Sequence, residues 1–291
     1  MDVRRAVEAD RPRLAAFAAR LQVRPDRHVA YLALDTDTIA AEMVAEDDDW
    51  TAVSAVATVD NHLAGWLMGS VDVDMGRVWW FGPFVDAEGD RWTELTNALF
   101  ATAGELLPAQ IDQEEMAPDT RFDVLADWAT EHGFTRDPGS LVLTGDLTVI
   151  GRPMTVGRPM VPSDAPSIGP LHDQLFPDTH TPGNRLAAST ADHRVHLVVD
   201  VDDTLAGYVA VERQPDGSGY VDYLGVDPRF RRRGLGADLV RAGAAALAGL
   251  GCERCSLTVR DDNLAARRLY TGLGFAEERV IVPYRRGFSI A

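Results

Sequence analysis

Lysine is absent from this 291-residue chain, so all 28 positively charged residues are arginine, set against 45 Asp and Glu for a net charge of −17. A chain of that sign repels phosphate backbones, which argues against nucleic-acid binding through a general basic surface. Cysteine is nearly absent. Cys252 and Cys255 cannot make a disulfide framework, and two thiolates are only half of a structural zinc site, so both read as buried core or strand residues with no metal implied. Charge, Gly or Pro breaks every apolar run before the roughly 18 residues of a membrane span, and no apolar signal core follows Met1-Asp2-Val3-Arg4-Arg5. The expectation is a cytoplasmic protein with neither membrane nor nucleic-acid partner. The 46% hydrophobic and 25% charged composition excludes a disordered chain, and the length predicts two domains at roughly 100 to 200 residues each.

An internal repeat organises the chain. Gly133-Phe134 and Phe84-Val85-Asp86-Ala87 recur 141 residues later as Gly274-Phe275 and Gly225-Val226-Asp227-Pro228. Leu63-Ala64-Gly65-Trp66 recurs as Leu205-Ala206-Gly207-Tyr208 after 142 residues, and Val7-Glu8-Ala9-Asp10 as Val161-Pro162-Ser163-Asp164 after 154. In each copy strands and helices alternate, which predicts an α/β fold, an α+β mixed sheet flanked by helices. Asp202-Asp203 signals a hairpin, a strand runs from Tyr220 to Val226, and an Ala-rich helix spans Leu235 to Leu250. The join falls near Gly145 to Pro153, giving expected domains at 1–148 and 149–291. Residues 1–148 hold 11 Arg and 28 acids, whereas 149–291 hold 17 of each. An anionic ligand is therefore better tolerated by the second copy.

Two segments carry chemistry. In Val226-Asp227-Pro228-Arg229-Phe230-Arg231-Arg232-Arg233-Gly234-Leu235-Gly236-Ala237 a strand turns through proline into a basic, glycine-bearing loop that opens a helix. The first amides of a helix have no intrahelical partner, and with the positive end of the dipole behind them they suit a pyrophosphate. A solvated basic turn is the plain alternative. Downstream, Asn263, Ala266 and Tyr270 stand at i, i+3 and i+7, one face of a helix. Taken singly, Asn263 is a cap and Tyr270 a core aromatic.

Together these segments resemble the GNAT superfamily of acyl-CoA-dependent N-acetyltransferases. Arg231, Gly234 and Gly236 meet the family's R/Q-x-x-G-x-G/A loop, and Asn263, Ala266, Tyr270, Gly274 and Phe275 meet its N-x-x-A-x-x-x-Y helix and following G-F. The resemblance covers residues 154 to 291 by motif and reaches the first copy only through the repeat. It implies tandem, splayed, mostly antiparallel sheets with acetyl-CoA as co-substrate and no metal. It also implies that backbone at Leu224, Gly225 and Val226 binds the pantetheine, and that Arg231, Arg232, Arg233, Gly234, Leu235, Gly236 and Ala237 hold the pyrophosphate, with Asn263 and Ala266 beside them. By resemblance Tyr270 is the general acid for the departing thiolate. Asp222 stands where many members carry a Glu base, either as that base or as a structural or substrate-orienting carboxylate. His172, Asp173 and His180 lie where variable helices line the acceptor pocket, and as loop polar residues they read as surface groups.

The first copy lacks the motifs. Arg231, Gly234 and Gly236 are replaced by Asp90, Thr93 and Leu95, and Asn263 and Tyr270 by Phe122 and Ala129. It reads as a fold retained as scaffold without its cofactor loop, and Trp79-Trp80-Phe81 as a core strand packed against the partner copy, with an exposed binding surface as the alternative. A tandem layout with a weakened first copy is similar to that of mycothiol synthases. The expected activity is acetyl transfer to a primary amine of a small molecule or peptide. The alternatives are a CoA-binding sensor or partner module without chemistry and, within the enzyme class, a mycothiol-synthase-like acetyltransferase, and nothing in the motifs fixes an oligomeric state.

Overall fold

The computed structural model describes residues 1–45, 49–150, 157–177, 179, 181–188 and 191–287. The first half runs β1 (Asp2–Arg5), α1 (Arg11–Gln22), α2 (Thr36–Ala45), β2 (Ser54–Val59), β3 (His62–Asp72), β4 (Arg77–Val85), α3 (Gly89–Gly104), β5 (Gln113–Met116), α4 (Asp123–Glu131), β6 (Thr135–Arg136) and β7 (Ser140–Asp146). After α5 (Leu147–Ile150) the order repeats. It runs β8 (Arg158–Pro159), α6 (Ala165–Leu175), α7 (Gly183–Ala188), β9 (Arg194–Val201), β10 (Thr204–Arg213), β11 (Gly219–Val226), α8 (Leu235–Gly249), β12 (Arg254–Arg260), α9 (Leu264–Gly272), β13 (Ala276–Ile281) and β14 (Tyr284–Arg286). Among the described residues no helix is long and apolar enough to cross a membrane.

The described residues form two seven-stranded sheets, ordered β1-β2-β3-β4-β5-β14-β6 and β13-β7-β12-β11-β10-β9-β8. Each is antiparallel along its first strands and contains a parallel pair, β4 with β5 and β11 with β12. The two compact units are Met1–Ser140 with Val280–Ala291, and Leu141–Arg279. They do not divide at the expected 148/149 boundary. The strand that ends the first repeat, β7, lies in the second sheet, and the strand that ends the second, β14, lies in the first. In the first unit Arg285 and Arg286 of β14 pair with Glu115 and Glu114 of β5 at 2.8 and 2.6 Å, so charge as well as backbone fixes the inserted strand.

Local devices recur at the repeat spacings. The β2–β3 and β9–β10 turns place Asp60-Asn61 and Asp202-Asp203 at φ between 50° and 63°, the left-handed pair a tight hairpin requires and short polar side chains tolerate. Ala64 and Ala206 are both skipped by the ladder, bulging the strand just before Gly65 and Gly207. Asp10 and Asp164 each turn back to the amide of Val7 or Val161 and take a two-pronged hydrogen bond from Arg4 or Arg158. Both carboxyls are buried and held below the usual carboxylate range by their arginine. The first core is aromatic: Trp66, Trp80, Trp92, Phe84 and Phe122 are fully buried, with Trp79 and Phe81 partly so. Cys252 and Cys255 are buried in the second unit, where burial pushes the Cys255 thiol up to about 12.

A carboxyl with a depressed folded pKa stabilises fully above its unfolded value and loses that contribution as the pH falls through the folded one. Asp10→Asn should cost about 1 to 2 kcal/mol near neutral pH, with the deficit shrinking below about pH 4. Urea denaturation at both pH values reads this directly, and an equal deficit at each would show that the ionised pair is not what pins the strand.

Candidate active site

β11 has two neighbours only at its start. With β12 it pairs at Gly219↔Cys255 and Tyr220↔Ser256, and there the ladder stops, while the ladder with β10 continues to Gly207↔Val226. From Val221 onward no strand among the described residues pairs with that edge of β11, and backbone polar groups exposed in such a split need another partner. A bulge accompanies the divergence. Ala210 pairs with Tyr223 and Val211 with Val221, leaving Asp222 as the extra residue. A bulged residue sharpens twist and re-aims its side chain. Gly225 is required by packing, since a Cβ there would overlap the Tyr208 ring.

The basic loop begins where β11 ends. Asp227 caps the turn Pro228–Phe230 by accepting from the Arg229 amide and pairs with the Arg229 guanidinium at 2.7 Å. Arg231 Nε donates to the Val226 carbonyl at 3.1 Å, folding the loop back on the strand. Arg229 and Arg233 each lie 5.5 Å from the Phe230 ring centroid. Arg231, Arg232, Arg233 and Gly234 are exposed. Gly234 adopts φ +86° immediately before α8, a conformation L side chains resist. The amides of Ala237 and Asp238 are the first to bond back, both to the Gly234 carbonyl, so those of Leu235 and Gly236 stand at the positive end of the helix without an intrahelical acceptor. A Cβ on Gly236 would meet Leu269 of α9 at 3.4 Å and Leu224 and Val226 at about 4 Å. The strand end, helix start and α9 therefore converge there. This is an arrangement suited to an elongated anion.

Asn263 caps α9, its carboxamide oxygen accepting from the Ala266 amide at 3.1 Å. Tyr270 lies on the buried side of α9, edge-on to Phe275. Among the described residues no hydrogen bond reaches its hydroxyl, and burial, with Tyr220 nearby, pushes it up to about 12. Tyr220, the last residue of β11 paired with β12, donates to Thr258 Oγ1 at 3.2 Å. Asp222 is half-buried and also receives no hydrogen bond from a described residue. Burial first, then Glu212, raises its carboxyl to about 7, against the opposing pull of Arg194. Tyr220, Glu212 and Arg194 escaped the sequence reading. The i, i+2 spacing of Tyr220 and Asp222 was available as a signal, but the partners on β10 and β9 depend on register.

His172 corrects the expected surface assignment. It is fully buried because α6 packs on the sheet through Ile168, Leu171, Tyr208, Ala210 and Tyr223. Its Nε2 lies 2.8 Å from the Thr181 carbonyl, which can only accept, so Nε2 carries the proton and Nδ1 accepts from Tyr208 Oη at 2.6 Å. Burial lowers its pKa, keeping it neutral. Asp173 instead receives the Gly183 amide at 2.7 Å, and His180 lies outside the described residues. A groove of about 1010 Å³ opens beside α6, lined by Met160, Pro166, Asp173, Asn184, Arg194 and His196 among others. No group of three or more His, Cys, Asp or Glu among the described residues could hold a metal ion.

Residues 166–275 match the acetyltransferase (GNAT) family. Similar curated proteins include the mycothiol acetyltransferases of Saccharopolyspora erythraea, 41% identical over 90 residues (31% of this chain, 30% of that protein), and of Mycobacteroides abscessus, 42% over 113 residues (36% and 38%). The match thus spans about a third of each relative's length. Among solved structures, a GCN5-related N-acetyltransferase from Sphaerobacter thermophilus superposes with TM-score 0.75 at 16% identity over 98% of this chain and 95% of that one. A tandem GNAT protein from the clavulanic acid biosynthesis pathway gives 0.66 at 13%, over 100% and 99%. At such identities the likeness is one of fold, and it extends over both units.

The loop geometry gives a direct test. Gly234 has open space around it, with Asp238 Oδ2 the nearest atom to an added Cβ at 3.9 Å. Gly234→Glu should cost only about 1 kcal/mol of stability for the left-handed backbone, yet abolish acetyl-CoA binding by placing an anion at the helix start. Isothermal titration of a variant with an unchanged circular dichroism spectrum decides it, and parent-like affinity would remove the loop from the site.

Proposed function

Residues 166–275 are a GNAT-family segment, and from that premise we propose that the second unit transfers an acetyl group from acetyl-CoA to a primary amine of a small molecule or peptide by direct attack. The observation that carries this reading is the split between β11 and β12, with a helix-opening basic loop at one end and the bulged Asp222 farther down the same strand. Amides of Leu235 and Gly236, with Arg231, Arg232 and Arg233, would hold the pyrophosphate. The unpaired edge at Leu224, Gly225 and Val226 would take the pantetheine and the thioester carbonyl, and Asn263 and Ala266 would flank the cofactor from the start of α9.

An ammonium cannot attack a thioester, so the amine must lose a proton first, and a carboxylate titrating near neutrality suits that task. The neutral amine then adds to the carbonyl carbon, backbone N–H groups of the open strand edge stabilise the developing oxyanion, the nitrogen gives its second proton to water, and collapse breaks the C–S bond. Tyr270 would meet the departing thiolate. Its phenol, near 12, is a weaker acid than an ordinary thiol at about 8.5. It therefore acts by hydrogen-bond donation, with water completing the protonation. A mycothiol-synthase-like reaction is the second reading, favoured by the names of the curated relatives. A CoA sensor is the reading left if CoA binds but no amine in a screen releases free CoA.

Because Asp222 must be ionised to act, kcat/KM should rise with pH through about 7, the value at which burial and Glu212 set its carboxyl. Asp222→Asn should abolish that limb, and Tyr270→Phe should lower kcat by about 10- to 1000-fold with acetyl-CoA affinity retained. Turnover of Tyr270→Phe within a factor of about two of the parent would assign the thiolate to another donor.

The second unit alone should bind the cofactor. Between β11 and α8 it has residues 227–234, where the first unit has only 86–88 between β4 and α3, and where it carries Asn263 the first carries Phe122, fully buried edge to face with Trp92 of α3 at 6.0 Å. Calorimetry on the full chain should give one acetyl-CoA per chain, and a stoichiometry near two would overturn this assignment.

A further inference from the structure

We propose that the cross-strand ion pair Arg194–Glu212 is a charge-setting device for Asp222, Glu212 supplying a fixed negative charge beside it and Arg194 limiting how much of that charge Asp222 experiences. The inference rests on the proposed site but concerns two residues that the reaction itself does not employ. Glu212 lies at the crossing of the three strands, opposite Arg194 on β9 and opposite Tyr220 on β11. Tyr220 is two residues before Asp222, and alternation puts both on one side of the strand. Both oxygens of Glu212 are occupied. Arg194 Nε stands 2.6 Å from Oε2, and Gln214 Nε2 donates to Oε1 at 2.5 Å. A carboxylate held on both sides stays in place, so it acts on Asp222 through its field and not by sharing a proton.

The other titratable and charged groups around Asp222 are Tyr220 and Tyr223 on its own strand, Tyr208 on β10, His196 on β9, and His172 and Asp173 on α6. Burial keeps the tyrosines protonated and lowers the proton affinity of both histidines, while Asp173 is tied to the Gly183 amide. Glu212 and Arg194 are thus the fixed charges that can act on a carboxyl without hydrogen bonds from described residues. Arg194 also lines the groove beside α6, so an occupant there meets the residue that restrains Glu212. The plainer role for the pair is a hairpin staple, worth about 0.2 to 1 kcal/mol. A staple would alter stability and leave Asp222 untouched.

Carboxyl-13C NMR of Asp-labelled full-length protein, with Asp222→Asn to assign the resonance, reads the titration without substrate. The parent signal should titrate near 7. Glu212→Gln should lower that midpoint by about one pH unit and Arg194→Gln should raise it by about as much. Removal of both should bring it back toward the parent. Opposite displacements from the two ends of one ion pair are the signature of charge, because loss of a staple would be shared by both variants. If Glu212→Gln does not fold, Arg194→Gln carries the test alone, with Arg194→Lys restoring the parent midpoint. Midpoints within about 0.2 units of the parent, or displaced in the same direction, would overturn the proposal. If Asp222 titrates as stated but the limb of kcat/KM persists in Asp222→Asn, the base assignment fails while this inference stands.

Discussion

The second unit is organised by the point at which a parallel ladder stops. β11 and β12 share two residue pairs and then separate, and a strand that loses a neighbour leaves polar backbone in need of one. The bulge, the basic loop and the start of α8 meet that need with geometry. The bulge at Asp222 sharpens the turn away from β12, Arg231 returns to the Val226 carbonyl, and the left-handed Gly234 starts a helix whose free amides stand beside the open edge. Donors on the strand edge and donors at the helix start thus lie along one line, the arrangement that the proposed elongated co-substrate requires.

The first unit isolates what belongs to the fold from what belongs to the site. It keeps the Arg–Asp pin, the left-handed hairpin turn, the bulged alanine and a parallel pair that stops after three residues. Those features recur because they hold the strands and turns. It lacks the glycine loop and the residues of α9, and Phe122, at the position of Asn263, has joined a close-packed core with Trp92. A region without Trp92 and Phe122 would need another group to fill it, since interiors do not tolerate large voids. Loss of a ligand site and gain of aromatic core are therefore two sides of one change.

Much of this was legible in the chain because it is local. Asp202-Asp203 specifies its turn, Gly234 its backbone, and Tyr270 and Asn263 their helix face, each within a few residues. The exchange of β7 and β14 was not legible. An edge position in a sheet is decided by strands more than 100 residues away, and either strand's alternation suits either sheet. The 148/149 boundary followed the repeat in sequence, whereas the sheets follow pairing. His172 was misread for a related reason. Its surroundings, rich in Pro, Thr and Gly, look like loop, and only the Tyr208 hydroxyl, 36 residues away, together with the Thr181 carbonyl makes burial affordable.

Under the proposed function the site must hold opposite charges close together, a strongly anionic co-substrate and an acceptor that arrives as a cation. Strand geometry separates them. From Asp222 to Val226 is four residues, about 13 Å at 3.3 Å per residue, longer than the Debye length of about 8 Å in physiological salt. The arginines after Val226 therefore act weakly on Asp222, on which Glu212 and Arg194 are the charges that act. That separation lets one strand carry an anion site governed by arginine and helix amides and a carboxyl governed by burial. It also explains why Asp222 can titrate near neutrality in a unit dense in guanidinium groups. A guanidinium as close to Asp222 as Arg158 is to Asp164 would hold the carboxyl ionised well below neutral pH, removing its affinity for the proton that the amine must give up.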